Sequence, residues 1–220
     1  MIIIGAKGHA LDILAGYPKE NIFLFDDVNA FFPDWLKKRY VVIQTQAELK
    51  EQFKIAPEYI LAVGKPVIRN FLSLKINQLG GKPVNYIAST AIIGNLSTHL
   101  GQGLNIMQQV FISDNVQIGD YSLINSHVSV HHDCIIGKYC ELSPGARILG
   151  NVKIGDYSFV GANSVILPDI TIGSNVTIGA GSVVLNNISN NQVAAGAPAR
   201  MIKENGPVDK ELDKLWKTFG

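Results

Sequence analysis

The chain has 220 residues, with 19 Lys or Arg against 18 Asp or Glu and a formal charge of +1, a balance that argues against nucleic acid or another polyanion as partner. Hydrophobic residues make up 47% and charged residues 17%, against roughly 25% charged in ordinary proteins, which excludes intrinsic disorder and points to extensive burial, part of it between subunits. No apolar run reaches the ~18–20 residues of a membrane-spanning helix, and the start, Met1-Ile2-Ile3-Ile4-Gly5, lacks the basic region of a secretory signal, so a cytoplasmic location without membrane insertion is expected.

Residues 1–87 read as a small α/β unit. Apolar runs at Ile2 to Ile4, Ile22 to Phe25, Val41 to Ile43 and Tyr59 to Val63 alternate with helix-like stretches, the signature of a parallel, Rossmann-like sheet. The first run enters Gly5-Ala6-Lys7-Gly8-His9-Ala10 and then the helical pattern Leu11, Ile13, Leu14. A glycine turn opening onto a helix N-terminus can hold a phosphate or pyrophosphate. It is Gly-x-x-Gly rather than the full dinucleotide fingerprint, which disfavours NAD. The second run ends in Asp26-Asp27, placed where an acidic residue of a nucleotide-binding fold reaches a ribose or base.

Residues 88–200 carry an internal repeat. Every sixth residue from Leu100 is aliphatic: Leu100, Ile106, Ile112, Ile118, Ile124, Val130, Ile136, Leu142, Ile148, Ile154, Val160, Ile166, Ile172, Ile178 and Val184. The slot four residues later is small or β-branched, as at Val110, Ser122, Cys134, Cys140 and Ala146, with Leu104 and Ile170 as larger exceptions. Glycine often follows the aliphatic residue, where φ > 0 or a close backbone approach suits a tight corner. A period of six is neither a helix nor an alternating strand. It describes short strands joined by corners, three to a coil, because Ile-Gly recurs at 118, 136, 154 and 172. Stacked coils then share one continuous aliphatic core. This pattern resembles the hexapeptide-repeat acyltransferases, and the resemblance implies a left-handed parallel β-helix. Gly196-Ala197-Pro198-Ala199-Arg200 is similar to the turn that closes their prism and helps bind coenzyme A, which implicates Pro198 and Arg200. Residues 201–220 read as a tail helix from Val208 to Trp216, with packing expected for Trp216 and a cofactor contact as the alternative.

Cys134 and Cys140 fall on inward slots and are expected to be reduced core residues. Of five histidines, His127, His131 and His132 fall within six residues, which raises a metal reading of the γ-carbonic-anhydrase kind. The required third ligand is missing, since Ala91 and Leu96 occupy the positions two coils earlier and His99 is out of register, so no metal is expected. General base catalysis fits better. His131, His132 and Asp133 lie on the corner between inward Val130 and Cys134, and a carboxylate at one ring nitrogen fixes a histidine's tautomer. Neighbours on a regular strand point oppositely, so His132 and Asp133 meet only if the corner bends them together.

Asn125 and His132-Asp133-Cys134, together with Gly5-Ala6-Lys7-Gly8-His9 and Asp26-Asp27, resemble bacterial nucleotide-sugar N-acetyltransferases over nearly the whole chain. The resemblance implies an acetyl-CoA-dependent acyltransferase of a UDP- or dTDP-linked 4-amino-4,6-dideoxy sugar, assembled as a homotrimer with cofactor held between prisms. It assigns His132 as base, Asp133 as its orienting carboxylate and the Gly150 N–H to the oxyanion. It gives Asn125, Gly5, Gly8, His9, Asp26 and Asp27 to the nucleotide sugar, and Glu141, Ala162, Gly179, Ala180, Pro198 and Arg200 to coenzyme A. Three positions depart from the pattern: Lys7 stands for serine, His131 for an acidic residue and Glu141 for a second histidine. An O-acetyltransferase of the sialic acid type is the alternative on the same fold.

Overall fold

The computed structural model describes residues 1–17 and 21–220. Strand β1 (Ile2–Ile4) leads through the glycine turn into α1 (Gly8–Ala15), and β2 (Phe23–Phe25), α2 (Asp34–Arg39), β3 (Val41–Ile43), α3 (Gln46–Ile55), β4 (Glu58–Leu61), α4 (Pro66–Gln78) and β5 (Lys82–Pro83) follow. The five strands form one parallel sheet of order β3-β2-β1-β4-β5, so the chain reverses its lateral direction beside β1, where the carboxyl ends open a crevice. The triple isoleucine of β1 is buried throughout because the central strand is covered on both faces. Thr45 caps the start of α3: its hydroxyl accepts from the Glu48 N–H at 3.3 Å and donates to the Glu48 carboxylate at 2.8 Å.

From Tyr86 the chain winds as a triangular prism of two-residue parallel strands. One face carries Ile92–Ile93, Phe111–Ile112, Ser129–Val130, Arg147–Ile148, Val165–Ile166 and Val183–Val184. The second runs from His99–Leu100 to Thr171–Ile172, and the third from Tyr86–Ile87 to Thr177–Ile178, extended by the hairpin Gln192–Gly196 and Ala199–Glu204. From the second coil onward the regular strands pair eighteen residues on, as Ser129 with Arg147 and Val130 with Ile148, while the first strands Tyr86–Ile87 and Ile92–Ile93 pair nineteen residues on and Thr177–Ile178 pairs sixteen on with the closing hairpin. The predicted column is the core: Ile106 through Val184 are buried at every sixth position, and Leu104, Cys134, Cys140 and Ile170 are buried beside them. Both cysteines are free thiols, and burial pushes the Cys140 thiol up to about 12.

The corners give the glycines a different role from simple flexibility. The left-handed residue lies three positions beyond the aliphatic core residue, at Asp133, Tyr139, Asn151 and Tyr157 among others. Gly137 is instead required by close approach, since a Cβ there would lie 2.6 Å from the Asp156 backbone nitrogen in the next coil.

The α/β unit sits on the third face. Ile3, Ala10, Ile13, Tyr86, Ala88, Met107 and Leu123 share one buried cluster. Along the neighbouring edge Tyr121, Tyr139 and Tyr157 stack at 5.3 Å intervals, and α4 meets each ring with one polar side chain. Asn77 donates to Tyr121 at 3.0 Å, Ser73 bonds Tyr139 at 3.3 Å and Asn70 donates to Tyr157 at 2.8 Å. Seven helical residues rise about 10.5 Å, which matches two coil intervals, so the i, i+3, i+7 face stays in step with the prism. Fully buried Arg69 locks the junction, donating to the carbonyls of Val63 at 2.7 Å, Tyr121 at 2.6 Å and Gly103 at 3.3 Å and to Asn105 at 2.7 Å. The last helix, α5 (Val208–Phe219), lies against α4, with Trp216 edge-on to Phe71 at 4.8 Å, the packing role expected for that tryptophan. Among the described residues no helix is long and apolar enough to cross a membrane.

Candidate active site

The edge between the first and second faces carries the strongest chemistry. Asp133 takes the left-handed conformation (φ 63°), and this bend turns its carboxylate back toward the preceding side chain. His132 Nδ1 and Asp133 Oδ2 are 2.7 Å apart, and Asn115 donates to Asp133 Oδ1 at 2.6 Å. These two hydrogen bonds, His132 first, hold the Asp133 carboxyl below the usual carboxylate range. A carboxylate accepting from Nδ1 leaves the proton off Nε2, the tautomer a general base needs. The side chains of His132 and Asp133 are 65% and 47% exposed, so Nε2 is open to an incoming substrate.

Gly150 lies one coil on, beneath the imidazole. A Cβ there would approach His132 Cε1 to 2.7 Å and Nε2 to 2.9 Å, so only glycine lets the ring lie flat over the next coil. The adjacent Asn151 N–H is used by the His132 carbonyl at 2.9 Å, whereas the Gly150 N–H has no partner among the described residues. Base, orienting carboxylate and a spare N–H donor therefore share one patch. His131 turns onto the first face, its ring 5.9 Å from Phe111.

The remaining prism residues lie elsewhere. Asn125 is on the edge between the third and first faces, its side chain capping the Ser126 N–H at 2.8 Å, beside a cavity of about 480 Å³ bounded by Asp12 and Gly16 of the α1 region and by Pro144. Ala162, Gly179 and Ala180 occupy the same edge, between the third-face strands at 159–160 and 177–178 and the first-face strands at 165–166 and 183–184. Gly179 is packed there against Ala195, whose Cβ would lie 2.6 Å from an added Cβ. Pro198 and Arg200 are on the terminal hairpin. Glu141 is on the third face under the α/β unit, its carboxylate 3.1 Å from where a Gly64 Cβ would stand; burial raises its pKa and the Arg69 charge opposes that rise. One chain thus assembles His132, Asp133 and Gly150 but separates them from Asn125, Glu141 and the alanine edge.

The second concentration of polar groups is at the carboxyl ends of β1 and β2. Gly5 (φ 114°) turns the chain there, where a Cβ would come within 2.9 Å of the Ala62 carbonyl oxygen. Gly5, Asp26, Asp27, Asn29 and Lys75 line a cavity of about 350 Å³. Asp26 accepts from the N–H groups of Val28 at 3.2 Å and Asn29 at 3.0 Å and from the Asn29 amide at 2.8 Å, which ties it into its own turn. Asp27 faces Lys75, 3.1 Å away. Gly8 begins α1 with open space around it. His9 points inward: its buried Nε2 has no partner among the described residues, and burial, aided by the Arg69 charge, lowers its pKa to about 4. It is neutral near pH 7 and brings no charge to a phosphate. Among the described residues no three His, Cys, Asp or Glu side chains stand close enough to share a metal ion.

The reading of the sequence missed Arg69, the tyrosine stack and Lys75. The stack had a signal, since Tyr121, Tyr139 and Tyr157 recur at the eighteen-residue period of one coil.

The bacterial transferase hexapeptide (six repeats) model matches residues 115–150 and 151–186. A GDP-perosamine N-acetyltransferase of Escherichia coli O157:H7 is 30% identical over 111 residues, 50% of this chain and 49% of that protein, so the match spans about half of the curated relative. Among solved structures, PerB from Caulobacter crescentus in complex with CoA and GDP-perosamine superposes with a TM-score of 0.83 and 29% identity, covering 92% of this chain and 96% of that one. The same enzyme has been solved with one of its histidines changed to asparagine and to alanine. The acetyltransferase domain of PglB from Neisseria gonorrhoeae FA1090, in complex with acetyl coenzyme A, gives a TM-score of 0.79 and 28% identity over 91% of this chain and 98% of that one. The repeat that builds the prism, the hexapeptide model that matches residues 115–150 and 151–186 of it and the superposition over nearly the whole chain agree on a prism of hexapeptide repeats.

Proposed function

We propose that the chain is an acetyl-CoA-dependent N-acetyltransferase acting on the amino group of a nucleotide-linked 4-amino-4,6-dideoxy sugar. The observation that carries this reading is the His132–Asp133 pair over Gly150, on a chain that superposes with an acetyltransferase holding CoA and a nucleotide-linked amino sugar. His132 Nε2 accepts the proton of the attacking amine while Asp133 holds the ring and offsets the imidazolium charge. The Gly150 N–H meets the oxygen that becomes negative as the thioester carbonyl is attacked. When the carbon–sulfur bond breaks, acetyl passes to nitrogen and CoA leaves as the thiol. No covalent enzyme intermediate is needed, which is consistent with both cysteines being buried.

The nucleotide reading uses the α/β unit, residues 1–87, as a Rossmann-like binding domain, with Gly5 and Gly8 toward the diphosphate, the inward-pointing His9 behind that turn rather than on the phosphate, and Asp26 and Asp27 on the ribose or base side. Residues 88–200 form a left-handed β-helix in this reading, and 201–220 a tail helix. Because His132 and the edge bearing Asn125, Ala162, Gly179 and Ala180 are separated in one chain, the site is completed by a second copy in a homotrimer, with the pantetheine lying along that edge toward Pro198 and Arg200 and with Glu141 on the coenzyme A side. Acetyl-CoA is an intracellular donor, so a cytoplasmic location goes with this reading.

The test is a panel of GDP-, UDP- and dTDP-linked sugars bearing either an amino or a hydroxyl group at carbon 4, with thiol release followed in the presence of acetyl-CoA. Turnover of an amino sugar supports the proposal and selects the nucleotide. Turnover of hydroxy sugars alone would make the protein an O-acetyltransferase.

A further inference from the structure

Helix α5 does more than cover α4. It is fastened along its length: Lys65 at the start of α4 pairs with Glu211, the Phe71 ring meets Trp216 edge-on at 4.8 Å, and Lys75 Nζ donates to the Phe219 carbonyl at 2.7 Å. The last turn of α5 therefore arrives at the carboxyl ends of β1 and β2. Leu215 and Phe219 line the same cavity as Gly5, Asp26 and Asp27.

Lys75 is the joint between the two sides. Its side chain is only 7% exposed, and its ammonium lies 3.1 Å from Asp27 Oδ2 while holding α5 through the Phe219 carbonyl. A charge this buried needs partners on every side it faces, and here those partners are the acidic rim of the cavity and the end of α5. The acceptors left for a ligand are consequently few. Both oxygens of Asp26 are engaged by Val28 and Asn29, and Oδ2 of Asp27 is engaged by Lys75 and, at 3.5 Å, by Gln46. Among the described residues, Oδ1 of Asp27 is the aspartate oxygen at this rim without a partner.

We propose that α5 is part of the nucleotide site: Leu215 and Phe219 form the apolar wall against which the base lies, Lys75 is the positioning residue that fixes this wall opposite the rim, and Asp27 Oδ1 accepts a hydrogen bond from the base or ribose. An apolar surface facing a few fixed polar groups is the ordinary composition of a small-molecule site. The inference rests on the reading of this cavity as the nucleotide pocket.

The experiment is calorimetric titration of GDP, UDP and dTDP, and separately of acetyl-CoA, into the wild type and the variants Leu215→Ala, Phe219→Ala and Lys75→Met, with steady-state kinetics alongside. Phe219 is 43% exposed, so shortening it leaves the folded core unaltered, and Phe219→Tyr serves as the conservative rescue. The expected result is about a tenfold loss of nucleoside diphosphate affinity in Leu215→Ala and Phe219→Ala, with KM for the nucleotide sugar raised, kcat and acetyl-CoA affinity unchanged, and Phe219→Tyr near the wild type. Wild-type affinity retained by both alanine variants overturns the role of α5 alone. A wild type that binds none of the three diphosphates overturns the pocket assignment and this inference with it.

Discussion

Gly150 follows His132 by one full coil and lies directly under its ring, so close that a Cβ would stand 2.7 Å from Cε1. The imidazole is the partner that can move. Gly150→Ala is therefore predicted to swing the ring off its station while leaving the prism intact, since the backbone there is not left-handed. A displacement of about 1 Å at a reacting group costs about a hundredfold in rate. Acetyl-transfer kinetics and a thermal melt check this together: kcat should fall by about that factor with the melting temperature unchanged.

Asp133 is predicted to act through His132. Its carboxyl is held below the ordinary carboxylate range by hydrogen bonds from His132 and Asn115, so it is ionised throughout the working range and loses its charge only in strong acid. The Asp133 carboxyl should then add no protonation step of its own to the acid limb of the pH–rate profile. Asp133→Asn should lower kcat, with KM for both substrates little changed. A protonation step in the wild-type acid limb that Asp133→Asn removes would contradict this assignment.

The repeat was readable because every coil imposes the same demand at the same position, and a sixfold period from Leu100 to Val184 has no other simple meaning. The His132–Asp133 contact was readable as a condition, that the corner must bend, and the left-handed Asp133 meets it. The union of the α/β unit with the prism was not. It depends on Asn70, Ser73 and Asn77 falling in step with the tyrosine stack, a match between helix rise and coil spacing that exists only once both are folded. Arg69 was hidden because its partners are three backbone carbonyls and one side chain amide, which leave no mark in a sequence. Adjacent Asp26 and Asp27 were indistinguishable, yet one builds its own turn and the other faces Lys75.

Arg69 is predicted to hold the two units together. Burial lowers its pKa to about 10, so it remains charged near neutrality beside the field of Glu141. Removing one member of such a buried charged network costs about 3–5 kcal/mol. Arg69→Met should lower the unfolding free energy by that order in a urea titration. Arg69→Lys should recover little, because an ammonium cannot reach all four acceptors in the fork geometry of a guanidinium.

His9 makes stability depend on pH. Its pKa is about 4 in the folded chain against 6.5 for an unperturbed histidine, so between these values the unfolded state binds the extra proton. Its contribution is fully present above about pH 6.5 and declines as pH falls toward about 4, by at most about 3 kcal/mol. His9→Gln should flatten that part of a stability-versus-pH curve measured by urea denaturation. An unchanged slope would show that other groups govern acid unfolding.

The most direct measurement is product mass. Purified wild type and His132→Ala are each incubated with acetyl-CoA and a nucleotide-linked 4-amino-4,6-dideoxy sugar, and binding of coenzyme A to both is recorded in parallel. The account predicts a gain of one acetyl group on the sugar with the wild type, and its loss in His132→Ala while coenzyme A is still bound. Acetylation by His132→Ala at the wild-type rate, or binding of coenzyme A by the wild type without transfer to any amino sugar in the panel, would contradict it.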